Sequence, residues 1–153
     1  DQVFSCTALR FAEELALTDN DYGNIGDIRY IKAITPKSWE KYAVHIIEPV
    51  FKMLDRKVKP LEVNIQHTQD RVEAHVLWED GISTDFISLG DTKGPLQISV
   101  YGTKGYKDLI FKDAFSAFRS SLDYFVNLVN GAVPNIPRCQ TMGIIDIIEK
   151  GKK

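Results

Sequence analysis

Apolar and polar positions change period several times along the chain, and each change marks an element. Leu9, Ala12, Leu15 and Ala16 share one side of a 3.6-residue repeat, which predicts a short amphipathic helix over 9–17. Asp, Asn and Gly crowd the stretch from Asp19 to Gly26, the chemistry of a turn. Ile28 to Ile34 alternates as a strand that Pro36 closes. Ser38 is placed to cap the next helix, in which Trp39, Tyr42, Ala43, Ile46, Ile47, Val50, Phe51 and Leu54 recur at helical period. Pro49 lies inside that helix and predicts a kink, with the His45 carbonyl left without its usual amide partner.

A run of strands follows. Leu61, Val63 and Ile65 alternate with Glu62, Asn64 and Gln66, and Val72, Ala74, Val76 and Trp78 alternate with Arg71, Glu73 and His75. Asp80-Gly81 separates this run from Ile82 to Leu89 and signals a hairpin. Leu96 to Tyr101 and Tyr106 to Phe111 are two more strands, joined by Gly102-Thr103-Lys104-Gly105. Consecutive hairpins imply antiparallel neighbours. Polar residues on one side of each strand imply helices on a single face. Trp78, Leu77, Ile87 and Leu89 cannot all point to one layer, so the open face is a candidate subunit interface. Phe115, Phe118, Leu122, Phe125 and Val129 predict a helix of about four turns ended by Gly131. A last helix, from about Cys139 to Lys150, has Met142, Ile145 and Ile148 inward. Strands segregated from helices make the class α+β.

Length and composition narrow the picture. At 153 residues one domain is expected, spanning 1–153. Hydrophobic residues at 44% and charged residues at 26% suit a folded domain rather than a disordered one. A net charge of −2 argues against a nucleic-acid surface. No apolar run approaches the ~18 residues of a membrane span, and no signal peptide opens the chain. Cys6 and Cys139 form neither a disulfide framework nor a zinc pattern, and read as two reduced residues of a cytosolic, cytoplasmic protein. The chain begins at Asp1, without Met, which implies a removed segment or a piece of something longer.

Familiar catalytic motifs are missing. There is no G-x-G-x-x-G, no P-loop, no G-x-S-x-G and no H-E-x-x-H. His67 and His75 are expected on paired strands as possible neighbours, but without a third metal ligand. Glu79 and Asp80 read as a hairpin end rather than an acid/base pair. His45 stands apart. On a helical wheel it falls roughly 150° from the apolar stripe, beside Lys41, Glu48 and Lys52. Pattern alone reads that face either as solvated or as the lining of a cleft. In the second reading His45 exchanges a proton near neutral pH. Lys41, one turn earlier, and the helix N-terminus would both favour its neutral form.

Ser38-Trp39-Glu40-Lys41-Tyr42-Ala43-Val44-His45-Ile46-Ile47-Glu48-Pro49, preceded by Ile25-Gly26-Asp27-Ile28, resembles a segment of the glucose–fructose oxidoreductase/inositol dehydrogenase (Gfo/Idh/MocA) family. Glu79-Asp80-Gly81 and Ile98 to Gly105 resemble its later hairpin and strand end, and Phe115 to Ile148 its closing stretch. The resemblance spans nearly the whole chain but only the C-terminal half of such an enzyme. It implies an open mixed, mostly antiparallel sheet with helices on one face, as in the C-terminal domain of glyceraldehyde-3-phosphate dehydrogenase. It also implies an NAD(P)-dependent oxidoreductase passing a hydride between nicotinamide and a sugar, cyclitol or similar polyol. NAD or NADP would be bound by an absent N-terminal Rossmann domain, leaving this fragment alone inactive, and the open sheet face would form a dimer or larger homo-oligomer. The family's catalytic histidine maps onto His45. Its usual Asp maps onto Lys41 and its usual Gly onto Ala43, both departures. Arg10 resembles an arginine that approaches substrate, and Trp39, Lys41 and Tyr42 would line the pocket. The competing readings are a ligand-binding or dimerisation module without catalysis, and a degenerate family member acting as a regulator.

Overall fold

The computed structural model describes residues 3–54 and 60–152. Its strands are β1 (Ile28–Thr35), β2 (Glu62–Thr68), β3 (Arg71–Leu77), β4 (Ser83–Ser88), β5 (Gln97–Gly102) and β6 (Tyr106–Ile110). They form one six-stranded sheet in the order β2-β3-β4-β1-β5-β6. β1 runs parallel to β4, with Ala33 opposite Phe86, and antiparallel to β5, with Ala33 opposite Ile98. The remaining pairs are hairpins. Consecutive hairpins therefore hold on either side, but β4 and β5 do not pair: β1, threaded from earlier in the chain, separates them. This is the open mixed, mostly antiparallel α+β sheet that the family resemblance implies.

Alternation sorts the two faces. Ile31, Ala33, Val72, Ala74, Val76, Phe86, Ile98 and Val100 turn to one side and make the core with the helices. The opposite face carries Tyr30, His75, Asp85, Ser99, Tyr101 and Tyr106. There Tyr30 donates to Asp85, and Tyr101 stacks on Tyr30 and on Tyr106 with ring centroids 5.7 and 6.1 Å apart. His75 Nδ1 lies 2.6 Å from Asp85 Oδ1. His67 is opposite Val72 in the register, so it is not the neighbour of His75 that the pattern suggested.

The helices are α1 (Asp19–Ile25), α2 (Trp39–Tyr42), α3 (Val44–Met53), α4 (Ala114–Val129) and α5 (Arg138–Lys150). Four readings of the pattern are corrected. The expected helix over 9–17 is two 3₁₀ turns, Ala8–Phe11 and Glu13–Leu15, with extended Ala12 between them. The expected turn over 19–26 is α1: Thr18 and Asp21 form a reciprocal capping box, and Gly26 ends the helix at φ 74°. Asp, Asn and Gly serve turns and helix ends alike, so composition misassigned them. The helix expected as one piece is divided at Ala43, and Pro49 lies inside its second part. There the Ile46 amide bonds the Ala43 carbonyl at 3.1 Å, a 3₁₀-type step. The two pieces answer to different partners: α2 packs on β4, while α3 packs on the N-terminal turn, β1 and α5. Finally, α5 buries Gly143, Ile144 and Ile147, leaving Met142 and Ile145 exposed. No helix is long and apolar enough to cross a membrane among the described residues.

Candidate functional site

The polar face of α3 is largely covered: Glu48 is buried and His45 half-buried, and of the three polar residues only Lys52 is exposed. Residues 5–11 lie across it. Thr7 opens the first 3₁₀ turn, its Oγ1 accepting from the Leu9 amide at 3.4 Å. Its own amide donates to Glu48 Oε2 at 2.6 Å, and its Oγ1 lies 2.6 Å from His45 Nδ1. His45 and Glu48, three residues apart on one helical face, thus grip the same threonine from α3. The Lys52 ammonium, one turn further, donates to the Arg10 carbonyl at 2.9 Å.

Burial sets the electrostatics of this seam. Glu48 is 3% exposed, and desolvation pushes its carboxyl up to about 6, against the opposing pull of the Thr7 amide and Arg10. Desolvation lowers the His45 pKa. It also lowers that of Lys52, with Arg10 adding to the effect, and raises that of Cys6, with Glu48 adding to it. The neutral imidazole is therefore favoured at neutral pH, as the sequence suggested, but through burial rather than through Lys41.

His45 stands between two openings. One, of about 230 Å³, lies towards α5 and is bordered by Glu48, Ile144 and Ile148. The other, of about 490 Å³, lies towards the end of β1 and is bordered by Lys37, Tyr42, Leu96, Phe111 and Phe118. The Tyr42 ring meets the imidazole edge-on at 5.5 Å. Lys37 Nζ donates to Tyr42 Oη at 2.7 Å and sits 4.6 Å from that ring's centroid. Lys37 has φ 68°, and is held there by a pair of backbone hydrogen bonds with Gly90 at 2.9 and 3.1 Å. A left-handed lysine costs roughly 1–2 kcal/mol, so the surrounding structure imposes this conformation.

Of the five residues singled out in the sequence, the structure brings together two, His45 and Tyr42. Trp39 is 2% exposed, its indole donating to the Ile148 carbonyl at 2.9 Å, so it packs α2 onto α5 instead of lining the His45 cleft. Gly151 makes room for that ring; a Cβ there would lie 2.2 Å from Nε1. Arg10 is 8% exposed and turned inward, donating to Gln140 Oε1 at 2.7 Å and lying 3.7 Å from Glu48 Oε1. Its position is that of an internal tether between α3 and α5. Lys41 is exposed, on α2 before the step at Ala43, while His45 is half-buried on α3 after it. Thr7, Lys37 and Glu48 were not singled out as site residues. Thr7 before Ala8-Leu9 could have been read as a cap; a left-handed Lys37 leaves no mark in sequence. Among the described residues no three His, Cys, Asp or Glu side chains could hold a metal ion.

No protein-family model and no curated protein matches the chain. Solved structures do. The myo-inositol 2-dehydrogenase of Lactobacillus plantarum superposes with a TM-score of 0.69 at 13% identity, over 97% of this chain and 61% of that one. The UDP-N-acetylglucosamine 3-dehydrogenase of Acidithiobacillus ferrooxidans gives 0.67 at 11% identity, over 97% and 60%. The biliverdin reductase of Synechocystis sp. PCC 6803, solved with biliverdin and NADP+, gives 0.63 at 11% identity, over 86% and 57%. The chain thus spans about 60% of the length of the first two. The fold is shared with part of each of these dehydrogenases.

Proposed function

We propose that this chain is the C-terminal, substrate-facing domain of an NAD(P)-dependent oxidoreductase acting on a carbinol of a sugar, cyclitol or similar polyol, with His45 exchanging the hydroxyl proton. The observation that carries this reading is the imidazole itself: half-buried, favoured neutral by desolvation, fixed at Nδ1 and placed beside a cleft of about 490 Å³. A neutral imidazole accepts a proton from a hydroxyl, and once charged it returns one in the reverse direction. Thr7 meets the ring with a neutral hydroxyl where the family's Asp would meet it with a charge. The base form is then the resting form.

The Gly102-Thr103-Lys104-Gly105 turn is not a dinucleotide-binding turn. Gly102 to Gly105 close the β5–β6 hairpin and lead into no helix, so they offer no helix N-terminus to a phosphate. The cofactor belongs in this reading to a separate N-terminal domain, and the hydride step belongs there with it. A second copy of the chain would cover the open sheet face, where Tyr101, Tyr106 and Ile110 are exposed.

The decisive experiment replaces His45 with Asn in the full-length protein. Turnover should fall about 10²–10⁴-fold, the worth of a general base. In the wild type the acid limb of kcat/KM for oxidation should have its midpoint below the usual histidine value of 6.5, since the lowered pKa keeps the base form to lower pH. His45→Asn should lack that limb. Unchanged turnover in a confirmed dehydrogenase removes His45 from the chemistry. No turnover in the wild type, with ligand binding intact, favours the non-catalytic module.

A further inference from the structure

The larger cleft beside His45 has a one-sided chemistry. Its wall includes one basic amine, that of Lys37, and none of Asp, Glu, Asn or Gln. Its polar groups are the ammonium, the imidazole and the hydroxyls of Thr7, Thr35 and Tyr42; Leu9, Pro36, Leu96, Phe111 and Phe118 make the rest largely apolar. A neutral polyol is poorly served by such a wall. Its hydroxyl protons find acceptors in three hydroxyls and one imidazole, with no carboxylate or side-chain amide in the wall to accept them more strongly. An anion is better served, because among the described residues no carboxylate pairs with Lys37. The ammonium is also aimed. Its backbone is held left-handed by Gly90, and its head rests on Tyr42, the residue that touches His45. Strain maintained in this way beside a cleft is a mark of a binding position.

We propose that the cleft takes an anionic sugar derivative, with a carboxylate or phosphoryl group on Lys37 Nζ and the apolar C–H face of the ring against Phe111 and Phe118. This rests on the reading of His45 given above and narrows its substrate. Lys37 supplies recognition; the reacting carbinol is left to His45.

Binding to the 153-residue chain tests it without cofactor or turnover. D-glucuronate, D-glucose 6-phosphate and D-glucose are titrated into the ¹⁵N-labelled chain, following the amides of Thr7, Lys37, His45 and Gly90. At least one anion should bind about tenfold more tightly than glucose, as a charge-assisted contact implies, and the preference should shrink with added salt. Comparison of the two anions identifies the carboxylate or the phosphate as the source. Lys37→Asn tolerates the left-handed backbone and should bring both anions to within about twofold of glucose; Lys37→Arg should keep the preference. Glucose binding as tightly as both anions, no shifts with either of the two anions, or an anion preference that survives Lys37→Asn overturns the proposal. Those outcomes leave the His45→Asn turnover result untouched, so the two readings fail separately.

Discussion

Helices α3 and α4 are both amphipathic, and in this chain they are covered in opposite ways. The polar face of α3 is largely covered: Glu48 is 3% exposed and His45 half-buried, and both, with the exposed Lys52, are bonded to the segment from Thr7 to Arg10. The apolar face of α4 is bare: Phe115 and Val129 are 79% and 69% exposed, with Phe118, Leu122, Phe125 and Val126 between them. α4 instead turns Ala117, Ser121, Tyr124 and Leu128 inward, and Tyr124 stacks with Phe4 and packs on Phe11. Periodicity reveals that a helix has two faces. It does not reveal which face finds a partner, because the partner is set by the topology of the rest of the chain. Residues 5–11 supply hydroxyl, amide and guanidinium groups, so they can satisfy a polar face that would otherwise stay wet.

If the α3 seam is a buried ion-pair network, breaking it from one side should have the largest effect on stability. Arg10→Met removes the guanidinium from Glu48 and Gln140 and leaves a desolvated carboxylate with the Thr7 amide as its remaining donor. Urea unfolding of the chain should show a loss of about 3–5 kcal/mol. The double variant Arg10→Met/Glu48→Gln should recover most of it, because no charge is then stranded. A single-variant loss below about 1 kcal/mol would mean that the seam is effectively solvated.

A smaller effect should follow at the neighbouring contact. Thr7→Val keeps the shape but deletes the hydroxyl on His45 Nδ1. The expected cost is about 1–2 kcal/mol, with a change in the His45 ring ¹⁵N shifts as Nδ1 loses its fixed partner. Thr7→Ser should restore both. Unaltered ring shifts in Thr7→Val would show that the imidazole is held by Tyr42 and the helix alone.

Much of the fold was legible. Alternation with turn chemistry located all six strands, since a sheet with one covered face writes its burial directly into every second residue. The insertion of β1 between β4 and β5 was not legible, because strand order is a long-range property. His45 was legible as a residue set apart from its own stripe. Its surroundings were not. Thr7 reaches it across 38 positions, Lys37 joins it through a left-handed turn closed by Gly90, and Lys41 is separated from it by a helix step that no Pro or Gly announces. α5 shows the same limit on a smaller scale. Gly143 lies against Phe51, where a Cβ would approach Cε1 to 2.9 Å, and that close approach selects the Gly143–Ile144–Ile147 stripe over the more hydrophobic-looking one.

The exposed face of α4 gives the smallest effect on stability and the sharpest contrast with α3. Phe115 is the most exposed of its stripe, and in this chain its side chain has little packing to lose. Phe115→Ser should therefore change the unfolding free energy by no more than about 0.5 kcal/mol, as for other surface substitutions, while raising the concentration at which the chain stays monodisperse in light scattering. Burial of a phenylalanine is worth about 1.5–3 kcal/mol, so the two cases are well separated. A loss approaching that larger figure would show that the face is already covered in solution, and would place both helices under one rule.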